Sequence, residues 1–284
     1  MHNSTVNGDW RRYRGIMGNE VKRNVGAAER NGKYVGVRGT PRIALIADIH
    51  GNFEALKALP RDYDELWVLG DLVNYGPQPS EVIEFVNKNA SLVVRGNHDD
   101  AVAFNRDPQC SPAFRLAAEE TRRFTASILS GQDKGYLADL PHYRWVRRGR
   151  WTVYICHATP SDPLHKYCAG DITKWKSELV RAGTDFLCVG HTHIQFCLRE
   201  GEQLVVNPGS IGQPKTGTAQ ARYAIWENGS VTLRAYDYRV EKSVARIRSM
   251  PVSAATQEFL ARVLETGIVA KTEKEATHVQ NCST

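Results

Sequence analysis

Five apolar segments of this chain each end in residues that bind metal ions well. In chain order, the endings are Asp48-Ile49-His50, Gly70-Asp71, Gly96-Asn97-His98-Asp99, Cys156-His157 and Gly190-His191-Thr192-His193. In an open α/β sheet, ligands bind beyond the carboxyl ends of the strands. If the five segments are strands of such a fold, their terminal side chains converge on one site. Mixed carboxylate, amide and imidazole groups therefore predict a hydrolytic centre that holds two metals.

The spacing of the apolar segments predicts an α/β fold. Short apolar strands are expected over residues 43–47, 66–69 and 92–94, with helices over 52–60 and from Pro79 onward. Alternating strands and helices imply parallel pairing with right-handed crossovers. Further strands are expected over 152–156, 186–189 and 204–206, followed by a hairpin of 222–227 and 231–237 around Asn228-Gly229. Helices over 240–249 and 254–265 complete this prediction.

The chain divides into three parts by composition. Residues 1–40 are expected to form a flexible basic extension, since the first 42 residues hold nine Lys and Arg against three Asp and Glu. Residues 41–266 form the predicted domain, in which 101–150 are expected to be a cap-like helical insertion. Residues 267–284 are a polar tail. A nucleic-acid-binding arm is the alternative for 1–40, and it is the less favoured of the two.

Composition limits the class of protein. The 284 residues are 42% hydrophobic, enough for a sizeable core, and carry a net charge of +6. No apolar run reaches the length of a membrane span, and the N-terminus lacks the apolar stretch of a secretory signal. The six cysteines are scattered without a C-x-x-C pair, which favours a reduced, cytoplasmic protein. No membrane partner is expected.

Taken together and in order, these motifs resemble those of the calcineurin-like metallophosphoesterases, D-x-H, G-D, G-N-H-[DE], H and G-H-x-H. The resemblance spans roughly residues 42–240. Asn207-Pro208-Gly209-Ser210 is similar to the last motif of the small bacterial and archaeal phosphodiesterase branch. The resemblance implies a four-layer α/β/β/α sandwich of two mixed sheets with helices outside, with 101–150 as the helical cap.

The resemblance also implies a role for each strand-end residue. It assigns Asp48, His50 and His193 to a first metal, Asn97, His157 and His191 to a second, and Asp71 to a bridge between them. The mixed ligands favour Mn²⁺, with Fe, Zn²⁺, Ni²⁺ or Mg²⁺ as alternatives. Two such ions would activate a bridging water as the hydroxide nucleophile. His98 would be the catalytic residue that protonates the leaving group or stabilises its negative charge.

One departure from the motifs of the superfamily narrows the class of substrate that is expected. Protein phosphatases of this superfamily carry G-D-x-x-D-R-G, whereas Asn74 and Tyr75 stand here in place of the second Asp and the Arg. The expected substrate is therefore a small phosphoester or phosphodiester, such as a nucleotide, rather than a phosphoprotein. The alternatives are a non-catalytic binding scaffold of the same fold, a protein phosphatase and a nuclease. Nucleic acid is disfavoured as a partner, and a homo-oligomer stays open.

Several neighbouring residues have two interpretations. Asp99 and Asp100 would either orient His98 or cap the next helix, and capping is favoured. Arg95 would contact phosphate or form a structural salt bridge. Asn207 and Ser210 are expected to shape the loop beside the metals. Each strand-end motif is short and is weak evidence when taken alone. The prediction of a metal centre depends on all of the motifs occurring in this order along the chain.

Overall fold

The computed structural model describes residues 41–269, which fold into ten strands, eight α-helices and a short 3-10 helix of Pro112–Phe114. The strands are β1 (Ile43–Ile46), β2 (Glu65–Val68), β3 (Leu92–Val93), β4 (Tyr143–Arg148), β5 (Trp151–Cys156), β6 (Phe186–Cys188), β7 (Phe196–Glu200), β8 (Gln203–Asn207), β9 (Ala221–Glu227) and β10 (Ser230–Tyr236). The helices are α1 (Phe53–Lys57), α2 (Pro79–Asn89), α3 (Asn97–Phe104), α4 (Arg115–Ile128), α5 (Gly131–Asp139), α6 (Ile172–Ala182), α7 (Val240–Arg248) and α8 (Ala254–Thr266).

The strands form two sheets of five. The first has the order β10-β9-β1-β2-β3, and the second has the order β4-β5-β6-β8-β7. Both are mixed. The central strand β1 pairs in parallel with β2 and antiparallel with β9, while β6 is parallel to both of its neighbours and β4 and β7 are antiparallel edge strands. The predicted pair of mixed sheets is confirmed.

Alternate residues along the strands show the layers. Ala44 and Ile46 of β1 pack with residues of α1 and α2, whereas Leu45 faces the opposite way and packs with Ile155 of β5 between the sheets. On the far side of the second sheet, β5 contributes to a cluster that contains Trp175 of α6. Because strand side chains alternate between faces, each central strand serves two cores. The predicted α/β/β/α sandwich is therefore correct.

The helical insertion is shorter than predicted. The helices after β3 end at Asp139, and Tyr143–Arg148 forms β4, which pairs with β5 in the second sheet. The prediction of a helical cap over 101–150 is wrong for its last part. In β4, four of six side chains are exposed, so the strand lacks the apolar alternation by which strands are recognised. Helix α4 adjoins the site described below, because Ala118 and Thr121 contact Asn74.

Two further elements were not predicted. Strand β7 is an edge strand, and α6 connects the parallel strands β5 and β6. The signals for α6 are present in the chain, because Asp171 caps its first turn through Thr173 N and Gly183 ends it in the left-handed conformation. Such a crossover helix is what a parallel strand pair requires.

The boundaries of the domain can be compared only within the described residues. The predicted extension 1–40 and residues 270–284 of the predicted tail lie outside them. Residues 267–269 are described, and Gly217 N donates a hydrogen bond of 2.9 Å to Gly267 O, so this end of the chain is tied to the loop after β8. Within residues 41–269, no helix has the length and apolar character needed to cross a membrane.

Candidate metal centre

All seven predicted ligands lie where the predicted strands end. Their positions are Asp48 and His50 after β1, Asp71 after β2, Asn97 at the start of α3, His157 after β5, and His191 and His193 after β6. Six are buried and His191 is partly buried. Parallel neighbours present their carboxyl ends at one edge of each sheet, and the packing of the two sheets brings these edges together.

Five of the seven ligands have left-handed backbone conformations. The φ angles are 52° at Asp48, 48° at His50, 55° at Asp71, 68° at His191 and 61° at His193. Positive φ is uncommon outside glycine and concentrates at functional sites, where the surrounding structure holds it in place. Here, the amides of Ile49 and His50 both donate to Asp71 O, at 2.8 and 3.0 Å, so the two strand ends hold each other.

Asp48, His50 and His193 form the first cluster, in which one ligand atom from each residue lies within 4.8 Å of the other two. His50 Nδ1 donates to Val73 O at 3.1 Å and His193 Nδ1 donates to Gln213 O at 2.6 Å. In the neutral rings the two Nε2 atoms therefore carry lone pairs, and they face each other at 3.1 Å. Asp48 Oδ2 is buried without a hydrogen-bond partner. Facing lone pairs and a bare carboxylate oxygen fit a bound cation.

The second cluster contains Asp71, His157 and His191, whose ligand atoms also lie within 4.8 Å of one another. His157 Nδ1 donates to Leu69 O at 2.8 Å, which leaves Nε2 as the ligand atom, 3.2 Å from Asp71 Oδ2. Asn97 adds an oxygen, since its Oδ1 lies 3.0 Å from His157 Nε2 while its Nδ2 donates to Pro108 O. The amide is thus oriented with its acceptor towards the site.

His191 is oriented by contacts on both sides. Its Nε2 lies 3.3 Å from His165 O, so Nδ1 is the nitrogen left for a metal, and its backbone amide donates to Asp48 Oδ1 at 3.2 Å. This last bond ties the second cluster to the first. The two sets therefore have the composition expected of two adjacent metal positions.

Asp71 belongs to the second cluster and also lies close to the first. Its Oδ2 lies 3.7 Å from His50 Nε2 in the first cluster and 3.2 Å from His157 Nε2 in the second. The structure therefore places Asp71 between the clusters, where a bridging ligand would stand. Nitrogen and oxygen donors in this ratio fit Mn²⁺, Fe or Zn²⁺ better than an all-oxygen site would.

The electrostatics of the centre follow from burial and one strong pair. Burial raises the pKa of Asp48 to about 7 and lowers that of His50 to about 4 and that of His191 to about 3. Burial also disfavours the charged forms of Asp71 and His157, but the attraction between these two side chains is stronger. This attraction raises the pKa of His157 to about 9 and holds the pKa of Asp71 well below its usual range. Without metal, the centre therefore holds protons at neutral pH.

Metal binding is expected to displace these protons. At pH 7.5 the metal-free His157 is protonated and Asp48 is partly protonated, because their pKa values are about 9 and about 7. Mn²⁺ binding should release about one proton per chain, since ligands bind metals in their deprotonated forms. Metal affinity should fall as the pH falls from 9, and more steeply below 7. Calorimetry in buffers of different ionisation enthalpy measures the release; a binding enthalpy independent of the buffer would contradict it.

His98 lies beside both clusters as the second residue of α3. Its backbone amide donates to Asp71 Oδ1 at 2.9 Å, and its Nδ1 lies 2.8 Å from Asn74 Nδ2. Asn74 Oδ1 accepts from Tyr75 N and its Nδ2 also donates to Ala118 O, so the orientation of the amide is determined. Asn74 therefore donates to Nδ1, and the proton of neutral His98 is on Nε2. Asn74 still contacts His98, but with the opposite hydrogen-bond polarity to an Asp.

Asp99 does more than cap a helix. Its carboxylate accepts from Gly96 N at 2.9 Å, which caps α3 as expected. It also accepts from Asp71 N, Leu72 N and Val73 N, at 2.9, 2.8 and 3.2 Å. One buried carboxylate thus holds the loop that carries Asp71 against the helix that carries Asn97. The capping interpretation was incomplete, because the second partner lies in a different strand end.

Arg95 serves the structure rather than a phosphate. Its Nη1 pairs with Asp100 Oδ1 at 2.9 Å, and its guanidinium donates to Leu140 O. Asp100 also pairs with Arg106 at 3.2 Å. Of the two interpretations, the salt bridge is therefore correct. These contacts fix the insertion helices against the end of β3.

The glycines before Asp71 and Asn97 are required for different reasons. Gly70 has φ +90°, a conformation that glycine adopts without strain, so it makes a tight turn before Asp71. Gly96 has an ordinary φ of −93°, but a Cβ there would lie 2.0 Å from Asp71 Oδ1. The requirement at Gly96 is therefore the close approach of its backbone to the Asp71 carboxylate.

The Asn207-Pro208-Gly209-Ser210 motif holds the loops around the centre. Asn207 Nδ2 donates to Gly190 O at 2.6 Å, and Ser210 Oγ donates to Asp48 O at 2.7 Å. Gln213 N then donates to Ser210 Oγ, which brings its own carbonyl to His193. The structure agrees with a positioning role, since these side chains bind backbone atoms of ligand-bearing turns.

A cavity of about 500 Å³ opens beside the clusters and His98. Its walls include residues that the sequence did not single out for the site, namely Phe114, Tyr167, Lys215, Ile268 and Val269. They come from the insertion, from two loops and from the segment that follows α8. Because each lies far along the chain from any ligand motif, only contact in the folded protein identifies them. The last two belong to the segment predicted to be a tail.

A sandwich of two mixed sheets with this Asp, Asn and His set at its strand ends has the α/β metallophosphoesterase fold. Residues 42–229 match the sequence profile of the calcineurin-like phosphoesterase superfamily domain. The chain belongs to that superfamily, and the family predicted from its motifs is confirmed.

Two relatives that align along most of the chain are a bacterial and an archaeal protein. A metallophosphoesterase from Sphaerobacter thermophilus is 30% identical, with a TM-score of 0.67 over 81% of this chain and 100% of that one. An uncharacterised protein from Methanocaldococcus jannaschii is 28% identical over 78% of this chain and 98% of its own length. A shorter match, 40% identical over 32% of this chain, is to a symmetrical bis(5'-nucleosyl)-tetraphosphatase from Nitrosococcus oceani, of which 34% is covered.

Proposed function

We propose that this protein is a phosphoesterase that uses two divalent metal ions to hydrolyse a small phosphoester, such as a nucleotide. The observation that carries the proposal is the pair of neighbouring ligand clusters, in which Asp71 of the second lies 3.7 Å from His50 of the first. Each cluster brings three buried or nearly buried side chains within 4.8 Å. A non-catalytic protein has no need to hold facing imidazole lone pairs and a bare carboxylate in one place.

The residues have separate roles in this proposal. Asp48, His50 and His193 hold one ion, Asn97, His157 and His191 hold the other, and Asp71 binds both; Mn²⁺ is the ion we favour. When bound, the two ions supply Lewis acidity to the phosphoryl oxygens and lower the pKa of water. Carbonyl groups behind the imidazoles fix the tautomers that present lone pairs to the ions.

His98 acts on the leaving group. Because Asn74 donates to its Nδ1, the imidazole presents an Nε2 proton, which it can donate to the departing oxygen. The amide bond from His98 N to Asp71 Oδ1 couples its position to that of the shared carboxylate. Tyr75 packs against the ring, with centroids 4.7 Å apart, and limits its rotation.

The cavity supports a small organic substrate. Its volume of about 500 Å³ suits a nucleotide-sized molecule. Tyr75, Phe114 and Tyr167 line it, so a flat apolar group has surfaces to stack against. The partial similarity to nucleosyl-tetraphosphatases points the same way. Asn74 and Tyr75, which replace the Asp and Arg of protein phosphatases, disfavour a phosphoprotein.

Hydrolysis assays test the proposal. Protein reconstituted with Mn²⁺ should cleave p-nitrophenyl phosphate or bis-p-nitrophenyl phosphate, and a panel of nucleotides should then rank natural substrates. Lack of cleavage of either ester, together with no effect of Asp71→Asn, would show that the proposal is wrong. A scaffold of this fold would hold less than one metal per chain after reconstitution. Strongly salt-dependent DNA binding would instead favour a nuclease.

His98→Asn is expected to lower kcat by about 10²- to 10⁴-fold, the usual range for losing a proton donor. Metal content should not change, because His98 contributes its backbone rather than its ring to the clusters. Steady-state kinetics and metal analysis of the same preparation measure both quantities. A variant that lost metal in proportion to activity would instead place His98 among the ligands.

A further inference from the structure

The cavity beside the metal centre contains a cation that no motif identifies. Among the described residues that line it, Lys215 is the only Lys or Arg. It lies in the loop between β8 and β9 and is partly exposed. The lining otherwise consists of the ligand residues, aromatic and apolar side chains, and small polar groups. Any anionic substrate in this cavity therefore meets one protein cation.

The loop holds Lys215 at the centre from both sides. Two residues before it, Gln213 O accepts the 2.6 Å hydrogen bond from His193 Nδ1. Two residues after it, Gly217 N donates to Gly267 O at 2.9 Å. A two-residue step spans at most about 7 Å, so these anchors restrict the lysine to the rim of the first metal cluster.

An aromatic ring orients the side chain. Lys215 Nζ lies 4.4 Å from the centroid of the Phe114 ring, a cation–π contact. Phe114 in turn packs against Tyr75 at 5.6 Å and Phe259 at 5.0 Å. The ammonium group is thus supported on one side by a packed wall while it lines the cavity.

Lys215 shares the cavity with ligands of both clusters. The same cavity is lined by His193 of the first cluster and by Asp71 and His191 of the second. A phosphate bound to the centre would therefore stand in the space that the Lys215 side chain lines.

We propose that Lys215, held by Phe114, binds a non-bridging oxygen of the substrate phosphate and selects dianionic over monoanionic phosphate groups. It would supply from the β8–β9 loop the cation that Tyr75 does not provide after Gly70-Asp71. The preferred substrates are then phosphomonoesters or molecules with a terminal phosphate. This inference depends on the proposed function, because it assumes that the cavity receives a phosphoester.

The test compares Lys215→Met and Lys215→Arg with Lys242→Met, a matched change at an exposed lysine of α7. Inorganic phosphate binding to the Mn²⁺-loaded proteins is measured by calorimetry. KM and kcat are measured for p-nitrophenyl phosphate, a dianion, and bis-p-nitrophenyl phosphate, a monoanion. Metal content is determined for each variant.

Lys215→Met should weaken phosphate binding and raise KM for the dianion by about 10- to 100-fold, the range for a charged hydrogen bond. KM for the monoanion should rise less, and kcat should change less than KM. Lys215→Arg should lose less phosphate affinity than Lys215→Met, since it keeps the charge and can stack on the Phe114 ring. Lys242→Met should match the wild type.

Two results would overturn the inference. One is unchanged phosphate affinity in Lys215→Met. The other is an equal loss for both esters with reduced metal content, which indicates that the lysine only packs the loop. Failure of the proposed function looks different: the wild type would bind Mn²⁺ and phosphate but hydrolyse neither ester. Loss of phosphate affinity in Lys215→Met would still support the lysine in that case.

Discussion

Asp71→Asn is expected to reduce phosphoester hydrolysis by about 10³-fold or more, equivalent to several kcal/mol of lost transition-state stabilisation. Asp71 lies close to both clusters, with Oδ2 3.7 Å from His50 Nε2 and 3.2 Å from His157 Nε2. An amide keeps the size of the side chain and one acceptor but removes its charge. One metal position, or both, should therefore lose affinity.

Metal analysis after reconstitution with Mn²⁺ and the rate of ester cleavage measure this outcome together. We expect two ions per wild-type chain and one or fewer in the variant. Asp139→Asn is the matched control, because Asp139 is exposed at the end of α5 and lies away from the centre. Wild-type activity with two ions in Asp71→Asn would contradict the bridging role.

Asp99→Ala is expected to lower the free energy of unfolding more than any other substitution considered above. The substitution leaves the four backbone amides of Gly96, Asp71, Leu72 and Val73 without their acceptor. Removing the partner of buried polar groups costs about 1–3 kcal/mol for each, and the sum is less than additive. A total of about 3–5 kcal/mol corresponds to a fall in Tm of about 10 °C for a domain of this size.

Thermal unfolding of the metal-free protein measures the effect without the added stability of bound ions. Asp133→Ala provides the comparison. Asp133 makes a similar carboxylate-to-backbone bond at the start of α5, but it does so at the surface, and we expect a loss of about 1 kcal/mol. If the two variants unfolded at the same temperature, Asp99 would not be holding the Asp71 loop.

The sequence predicted the fold well where apolar patterns were strong. Strands β1, β2 and β5 are short, largely buried segments, and the Asn228-Gly229 turn has positive φ at both residues, as a two-residue hairpin needs. Strand β4 and edge strand β7 were not predicted from the sequence. Much of β4 is exposed to solvent, and each of the two strands forms by pairing with one neighbouring strand. Their stability comes from hydrogen bonds to β5 and β8, which no local pattern records.

For the site, the sequence predicted the ligand residues but only part of the roles of their neighbours. Every predicted ligand reaches one of the two clusters or, in the case of Asn97, lies 3.0 Å from His157 Nε2. The roles of Asp99 and Asn74 were only partly predicted. Asp99 was identified as a helix cap, yet three of its four partners lie in the loop after β2. Asn74 was seen as a replacement for an acid, yet its contact with His98 remains with reversed polarity.

By itself, the order of strand-end motifs determined the family and the set of side chains that could hold metal, and the sandwich of two sheets followed from the resemblance to that family. The motifs depend on residue type and spacing, which a chain carries locally. The tertiary structure decided which imidazole nitrogen faces the centre, why Gly96 has no room for a side chain, and that Lys215 and Phe114 line the cavity. Those features arise from contacts between residues far apart in the chain, and such contacts exist only once the sheets have packed.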